Sequence, residues 1–170
     1  MLKRVVCLVL VFLLPVIHIA LAEEQVPKAS ELFQDLTVNN DFTFSVSGEW
    51  IRKEETSGDQ DNDLVCHAET WNRDRNMMIF FVEEGDGDHV VQLAMLNDYS
   101  GVATRDETEE LGGIKIIYAK SDENQAAYAY LSANNHVYSI VVSSTDEKYP
   151  AEKLLEELKN NVRTISLNPQ

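Results

Sequence analysis

Asp59, Asp61 and Asp63 stand at alternate positions in TSGDQDNDLVCHAETW, residues 56–71, shortly before Cys66 and His67. Oxygen ligands two apart can converge on one hard cation, and this is the spacing of the first ligands of a calcium loop. The rest of that loop is missing. Leu64 occupies the place of the glycine that makes the sharp turn. Thr70 occupies the place of the bidentate glutamate, with Glu69 one position early. The flanks read as strands rather than helices. The stretch departs from an EF-hand loop at these positions, which favours a solvated acidic loop, with a calcium site of another kind as the alternative. A second acidic group, Glu83, Glu84, Asp86 and Asp88, surrounds Gly85 and Gly87. Glu83 and Asp86 are the candidate calcium ligands there, although the glycines read as turn residues and Asp88 reads as a helix cap.

Cys66, His67 and Glu69 invite a zinc or nucleophile reading. Neighbours on a strand face opposite ways, so His67 and Glu69 share a face and Cys66 points away. No C-x-x-C or H-x-x-x-H spacing completes a zinc set. The chain carries no G-x-S-x-G, P-loop or G-x-G-x-x-G stretch. His89 and His136 are isolated near expected turns. We therefore expect no catalytic residues, no enzymatic activity and no cofactor, calcium being the one ion in question. Tyr128 and Tyr130 share one strand face at a spacing of two. They serve either as a partner-binding surface or as cross-strand packing.

Hydrophobic periodicity supplies the elements that must hold these side chains. Leu32, Phe33 and Leu36 in PKASELFQDL recur at helical spacing after Pro27, which predicts a short helical segment within residues 23–39. Phe42, Phe44 and Val46 alternate with polar residues as in a half-buried strand. Ser47-Gly48-Glu49 then reads as a tight turn, and Trp50 opens a second strand. LVCHAETW is a strand, and MMIFFVEE is a continuous apolar run that belongs at a sheet centre. DHVVQLAMLNDYSG reads as a helix capped by Asp88, with Val90, Leu93, Ala94 and Leu96 as its apolar stripe and Gly101 as its stop. A D-G hairpin is the alternative for this stretch.

Farther on, residues 103–111 are a polar edge strand or an irregular connection, and GGIKIIYAKS is a strand. Two strands meet around Asn134-Asn135, because asparagine tolerates left-handed backbone. Pro150 suits the first turn of a last helix, in which Ala151, Leu155, Leu158 and Val162 share a face. Tight connections between most neighbouring strands predict an α+β domain: an antiparallel sheet with helices packed on its faces.

The N-terminus reads as an export signal. Lys3 and Arg4 precede an apolar run that ends at Ala20-Leu21-Ala22, and Glu23 and Glu24 follow. Retention as a membrane anchor is the alternative, since the run approaches the roughly 20 residues that span a bilayer. Cys7 follows no small-residue lipobox. Cleavage after Ala22 leaves 148 of the 170 residues, a natural size for one domain, residues 23–39 leading into 40–170. The removed piece carries two of the 14 basic residues and none of the 29 acidic ones, so the formal net charge falls from −15 to −17. Such a surface repels phosphate backbones and anionic lipid, so we expect no nucleic-acid partner and no stable membrane insertion after cleavage. Cys66 alone remains, which excludes an internal disulfide.

FTFSVSGEW with its Gly-containing turn and Trp50, MMIFFVEE followed by LAMLNDY, AYAYLSANNHVYSIVVSS, and YPAEKLLEELKNNVRTI together resemble the PsbP/DcrB-like group over about residues 40–167. The group's turn before the tryptophan often carries a proline; here Ser47 and Glu49 flank Gly48. The resemblance implies a single α+β domain that assists larger assemblies or binds a partner protein, and it carries over no functional residue. The expectation is an exported, periplasmic or extracellular accessory protein with a protein partner still to be identified. The alternative is an extracytoplasmic calcium binder using residues 59–63 or 83–88.

Overall fold

The computed structural model describes residues 32–53 and 63–169. Asp59, Asp61 and the export segment lie outside the described residues. The elements run β1 (Leu32–Val38), β2 (Phe42–Arg52), β3 (Leu64–Thr70), β4 (Asn76–Glu84), α1 (Gly87–Tyr99), β5 (Thr104–Leu111), β6 (Ile114–Ser121), β7 (Ala126–Ala133), β8 (His136–Ser143), α2 (Ala151–Val162) and β9 (Ser166–Leu167). One sheet holds the strands in the order β1-β2-β3-β4-β8-β7-β6-β5, with β9 on β2. Every pairing is antiparallel. The expected α+β class, an antiparallel sheet carrying helices, is what the chain forms.

Strand alternation decides the layers, because successive side chains point to opposite faces. Ile114, Ile116 and Tyr118 of β6 pack in one cluster with Leu154, Leu155, Leu158 and Val162 of α2. Their neighbours Ile117 and Ala119 pack in another with Val90 and Ala94 of α1. The two helices therefore cover opposite faces. The α2 side is the larger core. It takes in Leu36, Phe42, Phe44, Trp50, Met77 and Ile140 and spans the sheet from β1 to β6. Truncating one of its large aromatics to alanine costs about 3–5 kcal/mol by analogy with other cores.

Leu32–Val38 is a strand, not the end of a helix. Leu36 and Val38 pair with Phe44 and Phe42 and are buried at a period of two. A spacing of four residues satisfies both periods, and the free edge of β2 settles the choice. No turn divides β2 at residues 47–49. The strand runs through to Arg52, and residues 46–49 lie opposite Gln34 where the ladder shifts register. Glycine inside a strand commonly marks such an irregularity.

Residues 103–111 resolve as the edge strand β5. Asn134 and Asn135 take positive φ, 51° and 64°, in the two-residue turn between β7 and β8. Pro150 sits one place earlier than expected, at the N-cap of α2 with extended backbone. Central β4 lies between β3 and β8 as its apolar run requires. On its α2 face Met77 and Ile79 are buried and Phe81 is half-buried. Met78, Phe80 and Val82 on the other face stay half-buried.

Candidate binding surface

Helix α1 begins in a reciprocal cap. The Asp86 carboxylate accepts the Asp88 N–H at 2.9 Å, and the His89 ring lies 3.2 Å from the Asp86 N–H and 3.0 Å from its carboxylate. Asp86, not Asp88, is thus the N-cap, and residue 88 falls in the first turn. Extended backbone at Asp86 lets its side chain reach forward to the free N–H groups. The His89 hydrogen bond, then that of Asp88, holds the Asp86 carboxyl below its usual range. Gly85 makes room for this arrangement, since a Cβ there would stand 2.5 Å from the His89 ring. At the other end Gly101 adopts φ +73°, and the N–H groups of Val102 and Ala103 turn back to the Asn97 carbonyl.

Between these caps the helix is apolar on more than one side. Val90 and Ala94 are buried against β6 and β7, and Val91 and Leu93 are half-buried. Met95, Leu96, Tyr99 and the following Val102 remain 52%, 66%, 94% and 39% exposed. Leu96 was expected in the packed stripe and instead points outward. Exposed Gln92, Met95, Leu96 and Tyr99 fall at i, i+3, i+4 and i+7, the anchor spacing of a helix that docks on a partner. Helix α2 shows what a partnered helix looks like in this fold. Its leucines all face the core, while Glu152, Lys153, Glu156 and Asn160 face water.

Beside α1 the same sheet face stays partly open. Helix α1 packs on β5, β6 and β7. Met78, Val141 and Tyr128 line up in register across β4, β8 and β7, each half-buried. Of the two tyrosines weighed as a partner surface, Tyr130 is 2% exposed and packs beneath α1. Tyr128 stacks on it at 6.1 Å and keeps part of its ring exposed. Tyr130 is core, because α1 crosses β7 at that point.

The described acidic candidates, Asp63, Glu83 and Asp86, do not gather into one site. Asp63 shares the lining of an open hollow of about 970 Å³ with Arg52, Lys53 and His67, which are cationic or polar neighbours rather than carboxylates. Glu83 is exposed on β4 opposite Val137, and Asp86 is occupied in its cap. Among the described residues no three His, Cys, Asp or Glu side chains are placed to share a metal ion. Cys66 is buried in the α2 core, and His67 lies on the opposite side of β3.

One buried polar cluster gave no sequence signal. The Asp41 carboxylate lies 2.7 Å from His136 Nδ1, accepts the Tyr138 hydroxyl at 2.5 Å, and receives the Asn134 amide at 3.3 Å. Burial, then the Asp41 hydrogen bond, pushes the Tyr138 hydroxyl well above its ordinary range. The pair has the carboxylate–imidazole form of an acid–base dyad. The cluster ties the β1–β2 turn to the β7–β8 turn. Asp41 is a single acid in NNDF, and its partners lie more than ninety residues away.

The surface outlier is thus α1. Its signal was present in VVQLAMLNDY, whose apolar residues exceed what one helical face can bury. No helix among the described residues is long and apolar enough to cross a membrane. No protein-family model matches the chain, and comparison with curated proteins finds no match.

Proposed function

We propose that this is an exported, non-enzymatic binding or accessory protein of the cell envelope or extracellular space, and that it engages a partner protein through the outer face of α1. The observation that carries the reading is the exposed row Met95, Leu96 and Tyr99, followed by Val102 just past the helix end, on a helix whose inner face is already packed. Singly exposed apolar residues are ordinary; a row at docking spacing beside a half-open sheet face is not. Tyrosine is among the residues that supply most of an interface's free energy when buried at its centre. The N-terminal residues 1–22, with their A-L-A ending, support export.

The PsbP/DcrB-like assignment is part of the same proposal. It rests on the quoted strands and closing helix, and an antiparallel sheet with one helix on each face accords with it. The Gly-containing turn before Trp50 is the one quoted element that takes another form, as a ladder irregularity in β2.

Site-specific photo-crosslinking in the native host tests the reading. A photoreactive residue at Tyr99 is expected to yield a discrete adduct with another protein, and the same residue at Glu156 on α2 to yield none. Equal adduct patterns from both positions would remove α1 as the binding face.

A further inference from the structure

Resting on the binding reading of α1, the geometry points to the chemistry of its partner: a cationic amphipathic segment of another protein. Its apolar side chains would cover Leu96, Tyr99 and Val102, and a lysine or arginine would reach Asp122 and Glu123.

The apolar row does not end in open surface. Val102 lines a hollow of about 290 Å³ just past the helix end, floored by Ala103 and Ser121 and walled by the exposed Asp122 and Glu123. The one cation in that lining, Lys120, is already held by Glu152. Among the described residues neither Asp122 nor Glu123 has an ion-pair partner. Their contrast with the other acids nearby is direct. Asp98 is paired with Arg105 at 3.0 Å, and Asp106 and Glu107 are both paired with Lys159. An apolar row thus leads into a recess whose acidic wall makes no direct ion pair among the described residues, Asp122 acting on Lys120 only at a distance, and complementarity asks for an apolar ligand face followed by a positive charge.

Two other occupants fit less well. A second copy would bring another formal −15 against the same acidic wall. An anionic membrane surface would be repelled by the same charge. A basic helix or loop gains from both halves of the site. The overall negative charge would also speed its approach, and salt would weaken it.

The probe is a designed amphipathic helical peptide of leucine and lysine. Its controls are a matched leucine–glutamate peptide and a lysine peptide without leucine. Binding to the protein as its host produces it is measured by fluorescence anisotropy at low and at physiological salt. The leucine–lysine peptide should bind, and both controls should bind at least about tenfold more weakly. Leu96→Ser with Tyr99→Ser should weaken binding about tenfold or more, as loss of central apolar anchors does. Asp122→Asn with Glu123→Gln should weaken it about threefold or more and flatten its salt dependence. All four positions are exposed, so unchanged melting temperatures serve as the folding control.

If the amide pair binds like the wild type while the serine pair is weakened, the cationic-partner inference fails and the α1 reading stands. If the serine pair also binds like the wild type, both fail, and the attraction belongs to overall charge alone.

Discussion

The Asp41 carboxylate sits 2.7 Å from His136 Nδ1 across 95 residues of sequence, and the same oxygen takes the Tyr138 hydroxyl. One buried side chain therefore joins the first hairpin of the sheet to the strand pair at its centre. The C-terminal tail joins as well, because the Asn168 N–H donates to the Asp41 carbonyl at 2.9 Å. Replacing Asp41 by alanine takes away the acceptor of the Tyr138 hydroxyl proton, leaving that hydroxyl only the Asn39 amide, and removes the link. We expect a loss of about 2–4 kcal/mol in urea unfolding, since each buried polar group left unpaired costs about 1–3 kcal/mol. Tyr138→Phe leaves His136 on the carboxylate and should cost about 1–2 kcal/mol. If Asp41→Ala unfolds at the same urea concentration as the wild type, the cluster is not a structural tie.

Gly85 and His89 are coupled in a way that a double-mutant cycle can read. A Cβ at residue 85 would overlap the His89 ring, so Gly85→Ala should push that ring out of the cap. The expected cost is about 1 kcal/mol, the usual worth of a helix cap. In a His89→Ala background the obstruction is gone, and Gly85→Ala should cost much less. Equal costs in both backgrounds would show that the ring and Gly85 do not interact.

Glu109 gives the stability an acid dependence. Hydrogen bonds from Arg163, at 2.5 and 3.0 Å, hold its carboxyl below the usual glutamate range. A carboxylate with a depressed folded value stabilises fully above its unfolded value, and that contribution is lost as pH falls through the folded value. Glu109→Gln should therefore destabilise at neutral pH, and the difference from wild type should shrink as the pH falls below about 4. The neutral-pH cost should be small, because the Arg163 side chain is 44% exposed and water screens the pair. Chemical unfolding at neutral pH and near pH 3 measures both. A difference that grows toward acid would reverse the assignment.

Export is checked on the protein itself. Cleavage after Ala22 predicts a mature N-terminus at Glu23, and intact-mass measurement on protein from its native host reads it directly. A mass that retains residues 1–22 would mean the apolar segment stays as an anchor, and would place α1 within reach of a membrane.

Elements whose burial follows a single period were legible from the sequence. The alternation of Phe42, Phe44 and Val46, the continuous run of β4 and the one-sided leucines of α2 each admit one structure, because each carries its own face. Leu32–Val38 is not legible in this way, since spacings of four serve strand and helix alike and pairing with β2 decides between them. In α1 the composition announced a helix but not which side would be buried. Apolar residues lie on more than one face, and contact with β6 and β7 selects Val90 and Ala94 and leaves Leu96 and Tyr99 outside.

By itself, then, the sequence determined the class of the fold, most of its strands and its acidity. These depend on local period and on composition, and every residue needed for them is read within a short window. The tertiary structure alone decided which face each helix covers, that Tyr130 is core, and that Asp41 meets His136 and Tyr138. It also decided that Val102 opens toward Asp122 and Glu123. Those relations join residues distant in the chain. They are set by strand order and register, where a slip of one residue exchanges the two faces of the sheet.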